Sequence, residues 1–257
     1  MLFEDIFYPD NPKRRDEIRN YQAGLVNALQ QYKGSWNGLV TQINPILKSA
    51  KQTDGGTKYN TIEFQQLEYD VKNMPISTCI EKINSAGQNM KAQLEKMFND
   101  IGLPSLPTDE DLKTKDVAGI IHFYIAQLPS LIIDTVAVAA LTTAIVVSFR
   151  LLALFAQLST VTVFLTSALM SVVFGGVAFI LTDMIVSAIT GAIERSQLED
   201  AISVYRQADE NITQPLIASA GNMAGISQCL KDGLYKLNED TILRRKKDGA
   251  WVIIDLS

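Results

Sequence analysis

The sequence predicts an all-α protein: an elongated bundle of long helices with an apolar helical hairpin and a short strand-like C-terminal tail. Two observations carry this. Apolar residues recur at alternating three- and four-residue steps through three stretches of roughly forty residues, the seam of a helix lying along partners for many turns. Between them lies 128–193, whose only charges are Asp134, Arg150 and Asp183.

The first seam runs through Ile18, Tyr21, Leu25, Ala28, Tyr32, Ser35 or Trp36, Leu39, Ile43, Ile46 and Ala50. Pro12 sits where a first-turn proline is tolerated. Pro45 removes one backbone donor and should kink the helix near Thr41. A helix over 13–51 is about 58 Å long. Asp54-Gly55-Gly56 reads as a turn.

A second long helix is expected next, with Leu67, Val71 and Met74 before Pro75, then Ile76, Ile80, Ile83, Gly87, Met90, Leu94, Met97 and Ile101. The loop Gly102–Pro107 closes it. Thr108 followed by Asp109, Glu110 and Asp111 reads as an N-cap with acids in the first turn, where the helix dipole favours them. A short helix to about Ala126 carries Val117, Ile120, Ile121, Tyr124 and Ile125. The last long helix, about Glu194 to Asn238, has Leu198, Ile202, Tyr205, Ile212, Leu216, Met223, Ile226, Leu230, Leu234 and Leu237 on its seam and an expected kink at Pro215. Gly221 and Gly225 mark a close helix contact on it. The tail, Ala250 to Leu256, is strand-like. These helices exceed the three to four turns of an average globular helix, so they read as rods of a bundle formed by 1–127 and 194–257.

Residues 128–193 are too long for one span, because a bilayer core of about 30 Å takes about twenty residues of helix. The candidate membrane-inserting side chains of the first arm are Leu131, Ile132, Ile133, Val136, Val138, Leu141, Ile145, Val146, Phe149, Leu152, Leu154 and Phe155. Those of the second are Val161, Val163, Phe164, Leu165, Leu169, Met170, Val172, Val173, Phe174, Val177, Phe179, Ile180 and Leu181. Gln157, Leu158, Ser159 and Thr160 interrupt the run and place a hairpin turn. Folding there sets Asp134 opposite Asp183, each about 36 Å of helix from the tip. The acids then mark the near membrane surface, and Arg150 snorkels towards the far one. Gly175 and Gly176 offer a hinge, or a competing turn with three segments (131–149, 151–171, 176–193). Asp183, Ser187, Thr190 and Glu194 share a stripe, as do Ser159, Thr162 and Thr166. The stripes either line water or pack small residues between helices. A helix apolar all round is either fully buried or in lipid.

Apolar residues make up 47% of the 257 and charged residues 20%, with a net charge of −5; the pI is about 5.0 and the mean hydropathy +0.10. That balance argues against nucleic acid, whose phosphates demand a basic face. Lys13-Arg14-Arg15 and Arg244-Arg245-Lys246-Lys247 are either solvated helix ends or footholds on anionic lipid, each cation worth roughly 1 kcal/mol. Cys79 and Cys229 permit one disulfide and no metal cluster, or stand as buried free thiols beside core positions. Asn211-Ile212-Thr213 matches a glycosylation acceptor by chance within a helical segment. His122, amid Ile120, Ile121 and Phe123, has no ligand-spaced neighbours for a metal. Phosphate loops, nucleophile elbows and zinc-protease motifs are absent from the sequence. Glu110-Asp111 and Glu199-Asp200 fall on helix faces expected to be exposed. The expectation is therefore no enzyme, no cofactor and no small-molecule substrate. Met1-Leu2-Phe3-Glu4-Asp5 is acidic and followed by prolines, unlike an export signal. The chain is expected to be cytoplasmic first, or released by a route that needs no such peptide.

The order of two long helices, a short one, an apolar hairpin and another long helix resembles the cytolysin A/haemolysin BL group of helical pore-forming toxins, which includes two-component insect-bacterial cytotoxins. The likeness covers roughly 13–240 and rests on layout and periodicity. It implies that 131–193 inserts into a target-cell membrane and that the chain assembles as a homo-oligomer or with a second toxin component. The chain departs from the group in being shorter than most members and in having no recognisable export peptide. The competing expectations are a permanent membrane protein with a helical cytoplasmic scaffold, and a soluble interaction or inhibitor protein.

Overall fold

The computed structural model describes residues 10–49, 62–128, 135–164, 195–236, 241–245 and 251–255. The fold is helical. Helix α1 spans Asn11–Ser49 and continues through Pro45. Helices α2 (Ile76–Ile101), α3 (Asp109–Thr114), α4 (Val117–Ile125) and α5 (Thr135–Phe164) follow. Then come α6 (Arg195–Ala208), a π-helical turn (Asp209–Thr213) and α7 (Gln214–Asp232). Strands β1 (Leu234–Lys236), β2 (Thr241–Arg245) and β3 (Trp251–Asp255) form an antiparallel meander, Leu243 pairing with both Tyr235 and Ile253. The strand-like tail thus has partners.

The chain divides into two compact units. The first comprises Met1–Lys33, Glu68–Ile83 and Leu158–Ala220. In it, Ile18 of α1 packs with Leu198, Ile202 and Tyr205 of α6. Arg14 pairs with Glu199 at 2.8 Å, and Arg206 reaches Glu17 at 3.2 Å and the Tyr21 hydroxyl at 3.4 Å. Partners advance together along both helices, so α1 and α6 run parallel. The ion pairs are solvent-exposed and contribute little beyond register; the apolar seam does the holding. Tyr69 donates its hydroxyl to the Leu29 carbonyl at 2.7 Å, and Lys33 Nζ donates to the Tyr69 carbonyl at 2.7 Å. Burial pushes the Tyr32 and Tyr69 hydroxyls well above the usual tyrosine range. The π-helical turn lies just before Pro215, which lacks the N–H that an α-helix would direct to the Asn211 carbonyl; this five-residue pattern stands where a kink was expected.

The second unit comprises Gly34–Leu67, Asn84–Gln157 and Gly221–Ser257. Here the sequence reading needs correction. The stretch before Pro75 is not helical: 62–70 is extended and the second helix begins at Ile76. Two asparagines of α1 hold its 62–67 part. Asn37 donates to the Leu67 carbonyl at 3.1 Å and accepts from the Leu67 N–H at 2.7 Å; Asn44 does the same with Phe64 at 2.9 and 3.0 Å. Seven helical residues rise about 10.5 Å, and three extended residues about 10 Å, so the two pairs match in register. Between them Trp36 Nε1 donates to the Gln65 carbonyl at 2.9 Å. The backbone groups that a neighbouring strand would satisfy are satisfied by side chains instead.

Helix α2 ends on Gly102 at φ +77, with the Leu103 N–H bonded to the Phe98 carbonyl at 2.9 Å, a left-handed cap that needs glycine. Thr108 caps α3 as expected, reciprocally with Asp111. The single short helix expected to Ala126 is two, because the Asp116 carboxylate accepts from the Ala118 and Gly119 amides and starts α4 anew. The last helix stops at Asp232 rather than Asn238, with Gly233 at φ +70, so Leu234 lies on a strand.

Candidate membrane-inserting helix

Helix α5 contains neither glycine nor proline and runs unbroken for 30 residues. The turn expected at Gln157, Leu158, Ser159 and Thr160 is absent: all four are helical. Polarity alone does not end a helix, since serine and threonine can bond back to the preceding turn's carbonyls. The break at Arg150 in the three-segment alternative is excluded by the same continuity. Leu131, Ile132, Ile133 and Asp134 lie outside the described residues. So do Leu165, Leu169, Met170, Val172, Val173, Phe174, Gly175, Gly176, Val177, Phe179, Ile180, Leu181 and Asp183. The second arm and the apposition of Asp134 with Asp183 therefore lie there too. Val136, Val161, Val163 and Phe164 have helical backbone in α5.

From Leu141 through Phe149 every residue is buried, including Thr142, Thr143 and Ser148. A run of more than two turns with no exposed position means that all faces of the helix are covered. Leu151, Leu152, Ala153, Phe155 and Ala156 are buried as well; Val138, Arg150 and Leu154 are half-buried. The second unit supplies neighbours on several sides. Phe149 meets Phe98 of α2 edge-on at 5.9 Å and Tyr124 of α4 at 5.1 Å. Phe155 meets Trp36 of α1 edge-on at 5.5 Å and covers Gly87 of α2. Gly87 pairs with Phe155 and Phe98 with Phe149, so α2 and α5 run antiparallel.

Sequence reasoning placed Trp36, Gly87 and Tyr124 on seams without assigning them to this slot. A glycine on an otherwise apolar seam was the available signal, because it marks close helix approach. Tyr124 is fixed from behind by its hydroxyl, which donates to the Ser105 carbonyl, and burial raises its pKa. Two buried hydroxyls of α5, Thr142 Oγ1 and Ser148 Oγ, have no hydrogen-bond partner among the described residues. Leaving such a group unsatisfied costs about 1–3 kcal/mol.

Phe123 of α4 is 54% exposed, the most exposed large apolar side chain among the described residues. It borders a cleft of about 530 Å³ lined by Leu106, Pro107, Ile120 and the charged Asp111, Lys115 and Asp116. His122 is exposed on the same helix, and the described residues hold no metal-binding cluster. Cys79 is buried and Cys229 half-buried, and both are free thiols. Among the described residues no helix is long and apolar enough to cross a membrane. No protein-family model matches the chain, and no solved structure matches it.

Proposed function

We propose that this chain is a pore-forming protein or a component of one. It folds first as a water-soluble helical bundle, then transfers α5 and the apolar residues beyond it into a target membrane and assembles there. The observation behind this reading is the burial of α5 on every face from Leu141 to Phe149. A segment with the composition of a lipid-facing helix is stored inside a folded unit.

The energetics favour a switch. Apolar surface gains about 25 cal/mol per Å² on leaving water, whether it enters a protein core or hydrocarbon. The two locations are therefore close in free energy, and differential contact with membrane decides between them. Arg150, at the middle of α5, costs about 3 kcal/mol at a bilayer centre. Assembly is how that penalty is avoided.

Detergent-free purification followed by dye release from liposomes tests the reading. Release is expected, from the chain alone or with a cognate second chain. Protein that stays in solution and leaves vesicles of every composition sealed rejects it. A soluble interaction protein is the second reading, favoured by the complete burial of Leu141–Phe149 in the fold. On that reading the vesicles stay sealed, and probes within 140–180 never report lipid.

A further inference from the structure

Helix α4 has one side in the core and one in water. Ile121 and Tyr124 are its buried residues, and the Tyr124 ring stands 5.1 Å from both Phe98 of α2 and Phe149 of α5. At 3.6 residues per turn, Ala118, Gly119, His122, Phe123 and the following Ala126 share one arc of about 140°. All five are exposed, and the arc holds no aspartate, glutamate, lysine or arginine. The three charged residues lining the neighbouring cleft are engaged. Lys115 pairs with Asp111 at 2.7 Å, and the Asp116 carboxylate accepts from the Ala118 and Gly119 amides, each at 3.0 Å. No acidic residue, lysine or arginine stands between Asp116 and Asp134 in the sequence. The exposed arc therefore leads directly into the apolar stretch read above as membrane-inserting.

A single exposed apolar side chain is ordinary on a protein surface; Phe123 differs in what it touches. It is 54% exposed, and its ring meets the Tyr124 ring edge-on at 5.1 Å. A relay of rings thus runs from solvent through Phe123 and Tyr124 to Phe149, within the fully buried stretch of α5. The size of the arc decides its partner. A nine-residue helix is about 13.5 Å long and about 10 Å across, a small fraction of the ~800 Å² per partner that a stable protein interface buries. A bilayer sets no such minimum, because the contact adds to those made by the apolar chain that follows. A short helix with one uncharged, partly apolar side suits the plane of the membrane interface.

We propose that the exposed arc of α4, led by Phe123, is where the folded chain first meets a lipid bilayer, and that this contact draws Tyr124 off Phe149 and frees α5. This rests on the pore reading above and names its trigger. Phe123 leaves water for the acyl boundary. Tyr124, next in the chain, gives up the Ser105 carbonyl and its place against α5 as α4 turns towards lipid.

The test is flotation of the full-length chain with phosphatidylcholine liposomes, beside dye release and chemical denaturation. Phe123→Ser is expected to keep the parent's denaturation midpoint, since the side chain is more than half exposed. It should weaken liposome binding about tenfold, as transfer of roughly half a phenyl ring implies, and Phe123→Leu should restore most of it. Tyr124→Phe keeps the ring stack and loses the Ser105 bond; it should bind as the parent does and release dye about fivefold faster. Should Phe123→Ser shift the midpoint, a polarity-sensitive fluorophore on Phe123→Cys decides independently, in a Cys229→Ser chain whose remaining Cys79 is buried. Its emission is expected to move to the blue before the vesicle contents escape. A fluorophore that stays in water while vesicles leak, or a Phe123→Ser chain that binds and leaks like the parent, overturns the contact. Equal release by Tyr124→Phe and the parent overturns the link to α5. A Phe123→Ser change confined to self-association in sedimentation gives the arc to a second copy and overturns the inference. All of these leave the pore standing. Liposomes unbound and sealed with every chain, the parent included, reject the pore and this inference with it.

Discussion

A Cβ on Gly87 would lie 2.7 Å from Cδ1 of Phe155. Helices α2 and α5 meet at this pair with no room for a methyl group, and the same phenyl ring stands edge-on to Trp36 of α1. The ring is thus held between a bare backbone and an indole, and it is one of the fixed points of α5 in the folded unit.

Gly87→Ala should destabilise the second unit by about 1–3 kcal/mol, the usual penalty for an added methyl in a filled core. Phe155→Leu shortens the ring and should absorb part of that loss. Chemical denaturation of both single variants and the double variant measures the coupling. A Gly87→Ala protein as stable as the parent would show that α5 is not fixed here. If α5 is released to act, the same variant should also speed dye release from liposomes.

Asn37 and Asn44 each hold two backbone groups of the extended segment. Replacing either by alanine leaves an N–H and a carbonyl without a protein partner, at about 1–3 kcal/mol for a buried group. Amide hydrogen exchange should show local loss of protection, at Leu67 for Asn37→Ala and at Phe64 for Asn44→Ala. Unchanged protection at both would mean that the segment is held by Ile62, Phe64 and Leu67 burying their side chains alone.

Burial raises the pKa of Tyr32 and of Tyr69. The unfolded chain then releases these protons at about pH 10, while the folded chain keeps them. Their contribution is complete below that pH and declines as pH rises, by about 1.4 kcal/mol per unit for each tyrosine. Ultraviolet titration should show these phenols ionising only with loss of the fold. Two phenols that titrate near 10 in folded Tyr32→Phe and Tyr69→Phe comparisons would contradict this.

Asp111 is shifted the other way, from 3.8 to about 2, by Lys115 first and then by the Thr108 hydroxyl and amide. Its contribution to α3 is present above the unfolded value and is lost as pH falls through about 2. A carboxyl chemical-shift titration should place the midpoint near 2, and Lys115→Ala should move it up towards the ordinary range. An unshifted Asp111 in the parent would remove the reciprocal cap.

Most of the helical seams were legible because burial follows period. Ile18, Leu25, Ala28, Tyr32, Trp36, Leu39, Ile43 and Ile46 of α1 are all buried, as are Ile80, Ile83, Met90, Leu94 and Met97 of α2. The segment 62–71 was misread because Leu67, Val71 and Met74 fit a helical spacing. The competing alternation of Ile62, Phe64, Leu67, Tyr69 and Val71 is nearly that of a strand, and its hydrogen-bond partners are asparagine side chains rather than another strand. Asn37 and Asn44, seven apart beside the seam, were the visible clue. The course of α5 was misread for a different reason: Gln157, Ser159 and Thr160 are polar but not helix-breaking, so they do not mark a turn.

The most direct test of the central claim, that α5 leaves a protein core for lipid, uses the unmodified chain and a phospholipid carrying a photoactivatable diazirine deep in its acyl chain. After illumination with liposomes, mass spectrometry should place adducts on the peptide spanning Leu141–Ala156, and lipid kept below its aggregation threshold should give none there. Adducts confined to other helices while the vesicles leak would contradict the account.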